Sequence, residues 1–293
     1  MKNQLLLFLV LAGITFSSCN NDDDPVANSA LTLTISNLPM SASNEQYEGW
    51  IIVNNAPVST GTFTANAEGA LSQSTFQVDA AMLASATTFV LSIEPVPDSD
   101  PTPSSIKILG GDFSGNQAML TAGHGAALGN DFSSAIGTVI LATPTTETTE
   151  DELSGIWFLD LSSGSPATGL SLPALPANWK YEGWAVIDGQ PVTSGTFSTV
   201  NVADDSAPFS GPGMGPPFPG EDYITNEPDG LSFPTDISGM VLVISIEPNP
   251  DNDPAPFLYK PLVVTLPTGA QDHVNYDLMN NVSSTFPTGT VSR

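Results

Sequence analysis

The residues best placed to do chemistry lie in two acidic runs that share one pattern. Residues 89–103 read FVLSIEPVPDSDPTP, and residues 242–256 read LVISIEPNPDNDPAP. Each run places two aspartates at alternate positions, and these are Asp98, Asp100, Asp251 and Asp253. Because calcium-binding loops present carboxylate oxygens at such alternate positions, the pattern is compatible with one calcium site in each run.

A rigid turn is the second interpretation of the same residues, and it is the one we favour. The runs lack the central glycine and the distal glutamate of an EF-hand loop. Prolines flank the aspartates, at Pro97, Pro101, Pro250 and Pro254. In turns of this kind an aspartate accepts a hydrogen bond from a nearby backbone amide. We therefore expect no cofactor, and calcium at the four aspartates is the alternative.

Paired carboxylates on neighbouring strands are a second source of chemistry. Glu48 and Glu94 could meet across adjacent strands, and so could Glu182 and Glu247. Two facing carboxyl groups are the machinery of glycoside hydrolysis. The other interpretation is a strand glutamate that pairs with serine, threonine or backbone. We expect no catalytic residue and no enzyme, and the alternative is a carboxylate-based hydrolase acting on envelope or extracellular carbohydrate.

Two weaker signals lie in loops. His124 and His273 stand at similar places before the last strand of each half, and one histidine is too few for a metal cluster without converging carboxylates. We expect both to be surface residues. A Pro/Gly-rich insertion near the middle of the second half carries Phe218 and Tyr223. It is either an exposed recognition loop or a cover over one sheet edge.

The elements that must position these residues occur twice. Residues 47–63 read YEGWIIVNNAPVSTGTF, and residues 181–197 read YEGWAVIDGQPVTSGTF. The alternation of side chains and the central turn predict a strand and a hairpin. Trp50 and Trp184 would add a large apolar area to each core. Each half also closes on a matching segment, SSAIGTV at 133–139 and SSTFPTGTV at 283–291.

Short strands between frequent turns predict an all-β protein with two tandem β-sandwich domains. Two copies of a long unit favour tandem domains over a solenoid. The predicted divisions are a lipoprotein signal peptide at 1–18, an acidic tether at 19–29, the first domain at 30–143, a polar linker at 144–154 and the second domain at 155–293.

The N-terminus predicts a lipid anchor. Lys2 is followed by an apolar run at 5–16, which is too short for a permanent membrane span. The sequence FSSC then ends at Cys19, the one cysteine of the chain, and resembles the lipobox of bacterial lipoproteins. The run NNDDDP at 20–25 resembles a surface-export signal of Bacteroidetes-type lipoproteins. We expect Cys19 to be acylated and to attach the protein to the cell envelope, in the outer membrane, and exposure at the cell surface is compatible with the export-like run.

Charge excludes one class of partner. From Cys19 onward the chain has 31 acidic residues and four basic ones, so its net charge is 4 − 31 = −27. The basic residues are Lys107, Lys180, Lys260 and Arg293. Such a surface repels phosphate backbones, so we expect no binding of nucleic acid. Membrane attachment must then come from the acyl chains, because a basic patch is missing from the sequence.

The order of the repeated parts resembles a known domain family. A Tyr-Glu-x-Trp strand, a turn, Pro-Val-Ser/Thr, Gly-x-Phe and a strand that ends in Glu-Pro are similar to the extracytoplasmic C-terminal domain of anti-sigma-K factors. The resemblance implies an envelope domain of sensor or interaction type. It does not imply direct sigma-factor binding, because that activity belongs to a separate cytoplasmic domain. We expect a non-catalytic lipoprotein with an envelope protein or glycan as partner, and a calcium-stabilised adhesion module is a further alternative.

Overall fold

A computed structural model describes residues 27–251 and 253–293. Nearly all of its regular structure is β, which confirms the predicted all-β fold class. The signal peptide, Cys19 and most of the acidic tether lie outside the described residues, so the predictions made for them stay predictions.

Nineteen strands and two short helices lie within the described residues. In chain order they are β1 (Asn28–Ser36), β2 (Glu45–Val53), β3 (Ala56–Phe63), β4 (Thr75–Asp79), α1 (Ala80–Ser85), β5 (Thr88–Pro95), β6 (Lys107–Ser114), β7 (Gln117–Thr121), β8 (Ile136–Leu141), β9 (Gly155–Trp157), β10 (Leu159–Asp160), β11 (Ala167–Thr168), β12 (Leu170–Ser171), β13 (Trp179–Ile187), β14 (Gln190–Phe197), β15 (Gly220–Asp222), β16 (Val241–Pro248), β17 (Tyr259–Thr265), β18 (Tyr276–Asn280), α2 (Val282–Thr285) and β19 (Thr288–Ser292).

Two large sheets share one strand order. The first sheet runs β3-β2-β5-β6-β7-β19-β1-β4, and the second runs β14-β13-β16-β17-β18-β8-β9-β15, with β12 on β8. Strand by strand the two orders correspond, because β2 and β13 carry the YEGW motif and β5 and β16 carry the SIEP motif. The remaining strands pair in the same antiparallel way in both sheets.

The closing strands are exchanged between the two halves. The strand β8 ends the first half in sequence, yet it pairs with β18 and β9 of the second sheet. The strand β19 ends the second half, yet it pairs with β1 and β7 of the first sheet. Sheet membership therefore crosses the sequence boundary at 143–155. We refer to this arrangement as the strand exchange.

The core is continuous between the sheets. Buried apolar residues of both form one cluster, which includes Leu33, Phe89, Val139, Ile244 and Val291. The Tyr259 hydroxyl, on the second sheet, donates a hydrogen bond to the Ile108 carbonyl of the first. The two halves are therefore packed directly against each other.

Local sequence explains the hairpins and the first helix. Asn54 and Asn55 have φ values of 51° and 62°, and Asp188 and Gly189 have φ values of 51° and 83°. Asparagine, aspartate and glycine tolerate this left-handed region, which two-residue hairpins require. The helix α1 begins where the Asp79 carboxylate accepts a hydrogen bond from the Met82 amide at 2.8 Å. The two hairpins were predicted from the sequence.

The alternation within β2 was also predicted, but Trp50 does not add to the apolar core cluster, and that expectation was wrong. Trp50 is 2% exposed, as is Trp184 in β13. Neither belongs to the apolar core cluster. Because strand side chains alternate, Trp50 shares its face with Glu48, while Tyr47 and Ile51 face the core. The tryptophans are therefore buried outside the core cluster, on the face of the sheet that also carries the glutamates.

The segment 144–154, which we interpreted as a linker, is bound to the second sheet. Thr145 is 3% exposed, and both its amide and its hydroxyl donate to the Asp222 carboxylate. The same carboxylate accepts a hydrogen bond from the Trp157 indole at 2.7 Å. Asp222 therefore ties this segment to the edge of the second sheet.

Candidate functional site

The strand order brings the two acidic runs to one place. The first run begins within β5 and the second within β16, and residues of both runs line a groove of about 630 Å³. Glu45, Glu94, Asp251 and Asp253 lie along it, with Ile93 and Phe257 as apolar walls. None of the described residues that line the groove is basic. Both halves thus contribute to one acidic groove, although Asp98 and Asp100 lie outside its lining.

The aspartates of the first run make the bonds of a rigid turn. Asp98 accepts a hydrogen bond from the Asp100 amide at 2.9 Å. Asp100 accepts one from the Thr102 amide at 2.9 Å and one from the Thr102 hydroxyl at 2.7 Å. The Thr102 hydroxyl and amide hold the pKa of Asp100 below its usual value. These hydrogen bonds from nearby backbone amides are the ones that the rigid-turn interpretation predicts.

The second run repeats this geometry. Asp251 accepts a hydrogen bond from the Asp253 amide at 2.9 Å, and Asp253 accepts one from the Ala255 amide at 3.0 Å. A lysine closes each turn, since Lys107 Nζ donates to the Ser104 carbonyl at 2.7 Å and Lys260 Nζ donates to the Phe257 carbonyl at 2.6 Å. Two of the four basic residues therefore hold the runs in shape.

Behind each run lies a chain of hydrogen bonds that we call the Trp–Ser–Glu relay. In the first half the Trp50 indole donates to the Ser92 hydroxyl at 2.8 Å, and that hydroxyl donates to the Glu94 carboxylate. Glu94 also accepts from the Ser104 amide at 2.9 Å. The relay connects the centre of the sheet to the acidic run through side chains that are 2% exposed or less.

The second half has the same relay. The Trp184 indole donates to the Ser245 hydroxyl at 2.7 Å, and the Glu247 carboxylate accepts from the Phe257 amide at 2.9 Å. Ser245 also bonds to Glu247. A second glutamate lies beside each relay: Glu48 accepts from the Ser59 hydroxyl, and Glu182 accepts from the Thr193 hydroxyl at 2.5 Å. The paired glutamates are thus neighbours, and each has a hydroxyl or amide partner.

Burial changes the acidity of these carboxyls most strongly in the second half. Burial raises the pKa of Glu182 to about 7 and that of Glu247 to about 8, and the nearby Asp251 charge adds to both. In the first half burial also raises the pKa of Glu48, and the charge of Glu94 adds to the increase. With a pKa of about 8, Glu247 holds its proton at neutral pH, which suits a buried structural role.

Two more acids with raised pKa values lie at the insertion of the second half: Glu221 within it, 0% exposed, and the half-buried Asp204 just before it. Burial raises the pKa of Asp204 to about 8 and that of Glu221 to about 7. One Asp204 oxygen accepts from the Gly220 amide at 2.7 Å, and the other has no hydrogen-bond partner among the described residues. Because Glu221 and Glu182 also raise the pKa of Asp204, these acids act on one another across the insertion.

The insertion is not an exposed recognition loop, and that interpretation of Phe218 and Tyr223 was wrong. Tyr223 is 0% exposed, and its ring packs on Phe209 and Phe233 with centroids 6.0 and 5.6 Å away. Phe218 packs against the small apolar cluster around Trp157. The strand β15 pairs with β9 at the end of the second sheet. The insertion therefore covers a sheet edge, which was the alternative prediction.

The histidines stand apart from the groove. His124 Nε2 lies 3.4 Å from Asp112, with the side chain 25% exposed, and His273 Nδ1 lies 2.9 Å from Asp272, with the side chain 56% exposed. Across residues 27–251 and 253–293, no three histidine, cysteine or acidic side chains are grouped so as to hold a metal ion. Each histidine thus faces a single aspartate.

Sequence reasoning missed three residues of this region. Glu45 lines the groove, and partial desolvation and then the Asp253 charge raise its pKa. Asp204 and Asp222 anchor the insertion and the segment 144–154. None of the three lies in a repeated motif, and their partners are distant in sequence. The only signal for Asp222 was that the insertion contains two adjacent acids without a basic neighbour in sequence.

Comparison with known proteins supports the resemblance in the first half. The family described as "Anti-sigma-K factor rskA, C-terminal" matches residues 24–106. The match includes the YEGW hairpin, the first relay and the first acidic run, so the predicted resemblance is confirmed there. It supports a regulatory or sensing type of role. No curated protein and no solved structure matches the chain.

None of the helices in the described part of the chain has the length and apolar character needed to cross a bilayer.

Calcium binding can be tested at the second run. We expect calcium and magnesium to shift the melting temperature equally, because each aspartate already accepts a backbone hydrogen bond and divalent ions then act by screening. Melting curves in calcium, magnesium and ionic-strength-matched sodium measure this. A rise specific to calcium that disappears in Asp251→Asn/Asp253→Asn would instead place a metal site there, through binding to the native state.

Proposed function

We propose that the protein is a non-catalytic, lipid-anchored protein of the cell envelope, and that its two anti-sigma-K-like units act in binding, sensing or envelope assembly. The observation that carries this proposal is the family match at residues 24–106, because that family supports a regulatory or sensing role. In this proposal residues 30–143 and 155–293 are the two units, and Cys19 carries the acyl chains.

The chemistry of the paired glutamates agrees with a role other than catalysis. Glu94 and Glu247 are 2% and 1% exposed, and serine hydroxyls and backbone amides occupy their oxygens. A general acid or a nucleophile must reach its substrate within hydrogen-bond distance. These carboxyls instead connect the sheet to the acidic run, so their arrangement supports a structural role for the relay.

The partner in this proposal is an envelope protein or a glycan. The four basic residues of the described chain are all engaged within the molecule: Lys107 and Lys260 close the acidic turns, Lys180 pairs with Asp205 at 2.7 Å, and Arg293 binds carbonyls of the first half. These four basic residues therefore leave most of the acidic charge of the surface without a basic partner. Such a surface disfavours nucleic acid and anionic head groups as partners. We do not expect direct binding of a sigma factor.

Anchoring gives the decisive test. We expect Cys19→Ala to move the protein from the membrane fraction to the soluble fraction and to abolish labelling by a radioactive fatty acid, since the acyl chains supply the membrane affinity. Ser18→Ala, which keeps the cysteine, is the control and should stay membrane-bound. A Cys19→Ala variant that keeps both its label and its membrane attachment would contradict the proposal.

A further inference from the structure

The two closing strands are copies of each other that occupy each other's place. Gly137, Thr138 and Val139 of β8 correspond to Gly289, Thr290 and Val291 of β19. Val139 and Val291 are both 0% exposed. The place that β19 fills, between β1 and β7, we call the closing slot. It is a slot in the first sheet, filled by a strand from the far end of the chain.

The closing slot recognises its strand through features that any copy of the chain carries. β19 aligns with β1 over five residue pairs and with β7 over five more. Val291 sits between Leu33 and Ala118, which are 2% and 1% exposed. Backbone ladders and a buried valine do not depend on which chain supplies the strand.

A side-chain anchor completes the fit at the end of the strand. Arg293 Nη1 donates to the carbonyls of Leu83 and Ala86, and Nη2 donates to the Gly115 carbonyl at 3.0 Å. Its guanidinium also lies 4.3 Å from the centre of the Phe113 ring. All of these partners belong to the first half. The anchor therefore fixes the register of β19 in the closing slot.

A short connector joins the strand to its own half. Residues 281–287 run from β18 to β19 and contain the four-residue helix α2. Phe286 of this connector packs on Phe132 and Tyr259, with ring centroids 5.6 and 4.7 Å away. When extended, seven residues reach roughly 25 Å, which is comparable to the size of a small domain. An opened connector can therefore carry the strand to a neighbouring molecule.

We propose that the closing slot also accepts β19 from a second copy of this chain, which gives a domain-swapped dimer. The swap between chains keeps every contact of the slot and changes only the connector, so its free-energy cost is that of association and of opening the connector. Within one chain the connector gives the strand a high effective concentration, so the monomer dominates in dilute solution. The net charge of −27 opposes the dimer, and salt lowers this repulsion.

Two single-cysteine variants test the proposal in a Cys19→Ser background. Thr34 and Thr290 are directly paired between β1 and β19, and paired residues of an antiparallel ladder lie within disulfide reach. A Thr34→Cys chain and a Thr290→Cys chain are mixed, partly unfolded in urea, refolded together and oxidised. We expect a reducible dimer of the unlike chains. A tenfold rise in concentration should raise its ratio to monomer by about tenfold while it is the minor species, and added salt should raise it further.

The controls make every outcome decisive. Thr34→Cys mixed with Met279→Cys, an exposed position on β18, should give only background linkage. The single chain that carries both Thr34→Cys and Thr290→Cys should link within itself. If that chain links but the mixed chains do not, β19 never leaves its own molecule and the proposal is wrong. Equal linkage with Met279→Cys, or failure of the double variant to link, would also overturn it.

Discussion

Val291→Asp should unfold the N-terminal half of the chain, although Val291 is two residues from the C-terminus. The valine is 0% exposed and lies between β1 and β7, so aspartate would place a charge in an apolar site. Such a replacement costs on the order of 3–5 kcal/mol, a large part of the stability of a typical domain. Segment-resolved hydrogen exchange should show lost protection in residues 28–121 and retained protection in β13 and β16.

The matching valine supplies a reciprocal test. Val139→Asp changes β8, which is the last strand of the first half in sequence but lies in the second sheet. We expect it to remove protection from β9, β17 and β18 while the first sheet keeps its own. Thr288→Asp, at an exposed position of β19, is the control for charge alone. Damage confined in each case to the half that precedes the mutated strand in sequence would contradict the strand exchange.

Stability should fall as the pH rises from about 5 to 8.5. Burial raises the pKa of Glu182 and Glu221 to about 7 and that of Asp204 and Glu247 to about 8. A carboxyl whose pKa is raised by folding contributes its full stability below the unfolded value near 4.5, and this contribution is lost as the pH rises through the folded pKa. Each such group therefore lowers the free energy of unfolding as the pH rises through that window.

Thermal melts between pH 5 and pH 8.5 measure this, and we expect the melting temperature to drop by roughly 10 °C or more. Glu247→Gln should flatten the profile, because the amide still accepts the Phe257 hydrogen bond but cannot ionise. Glu68→Gln, at an exposed position, removes one charge without this effect and controls for general repulsion. A profile unchanged by Glu247→Gln would mean that the buried carboxyl is not the source of the pH dependence.

The two halves should lose stability unequally as the pH rises. The four tryptophans separate them, since Trp50 lies in the first sheet and Trp157, Trp179 and Trp184 lie in the second. The four acids with a pKa of about 7 or 8 all belong to the second half. Fluorine resonances of labelled tryptophan should therefore report loosening at the second-sheet positions first as the pH rises.

Local sequence patterns predicted much of the fold. Turn chemistry predicted the hairpins at Asn54 and Asp188, because positive φ favours those residue types. Proline and aspartate spacing predicted the rigid acidic runs, because each bond spans only two residues. Strand alternation predicted the faces of β2, since side-chain direction has a period of two.

Strand pairings and side-chain contacts between residues far apart in sequence could not be predicted from local patterns. The closing segments at 133–139 and 283–291 share one pattern, so either strand fits either sheet on hydrophobic periodicity alone. Their exchange depends on connector geometry and on contacts such as Arg293 with Leu83, far apart in sequence. Tyr223 was misjudged because a Pro/Gly-rich segment is typical of an exposed loop, whereas packing on Phe209 and Phe233 buries it.

A disulfide comparison within single chains tests the strand exchange most directly. In a Cys19→Ser background, Thr34→Cys is combined either with Thr290→Cys or with Thr138→Cys, its counterpart in β8. Thr34 is paired with Thr290 in the first sheet, whereas Thr138 is paired with Asp277 in the second. We expect rapid and nearly complete oxidation of the first combination in the dilute monomer and free thiols in the second. Oxidation of the Thr138 combination, with the Thr290 combination left reduced, would show that each half closes with its own strand.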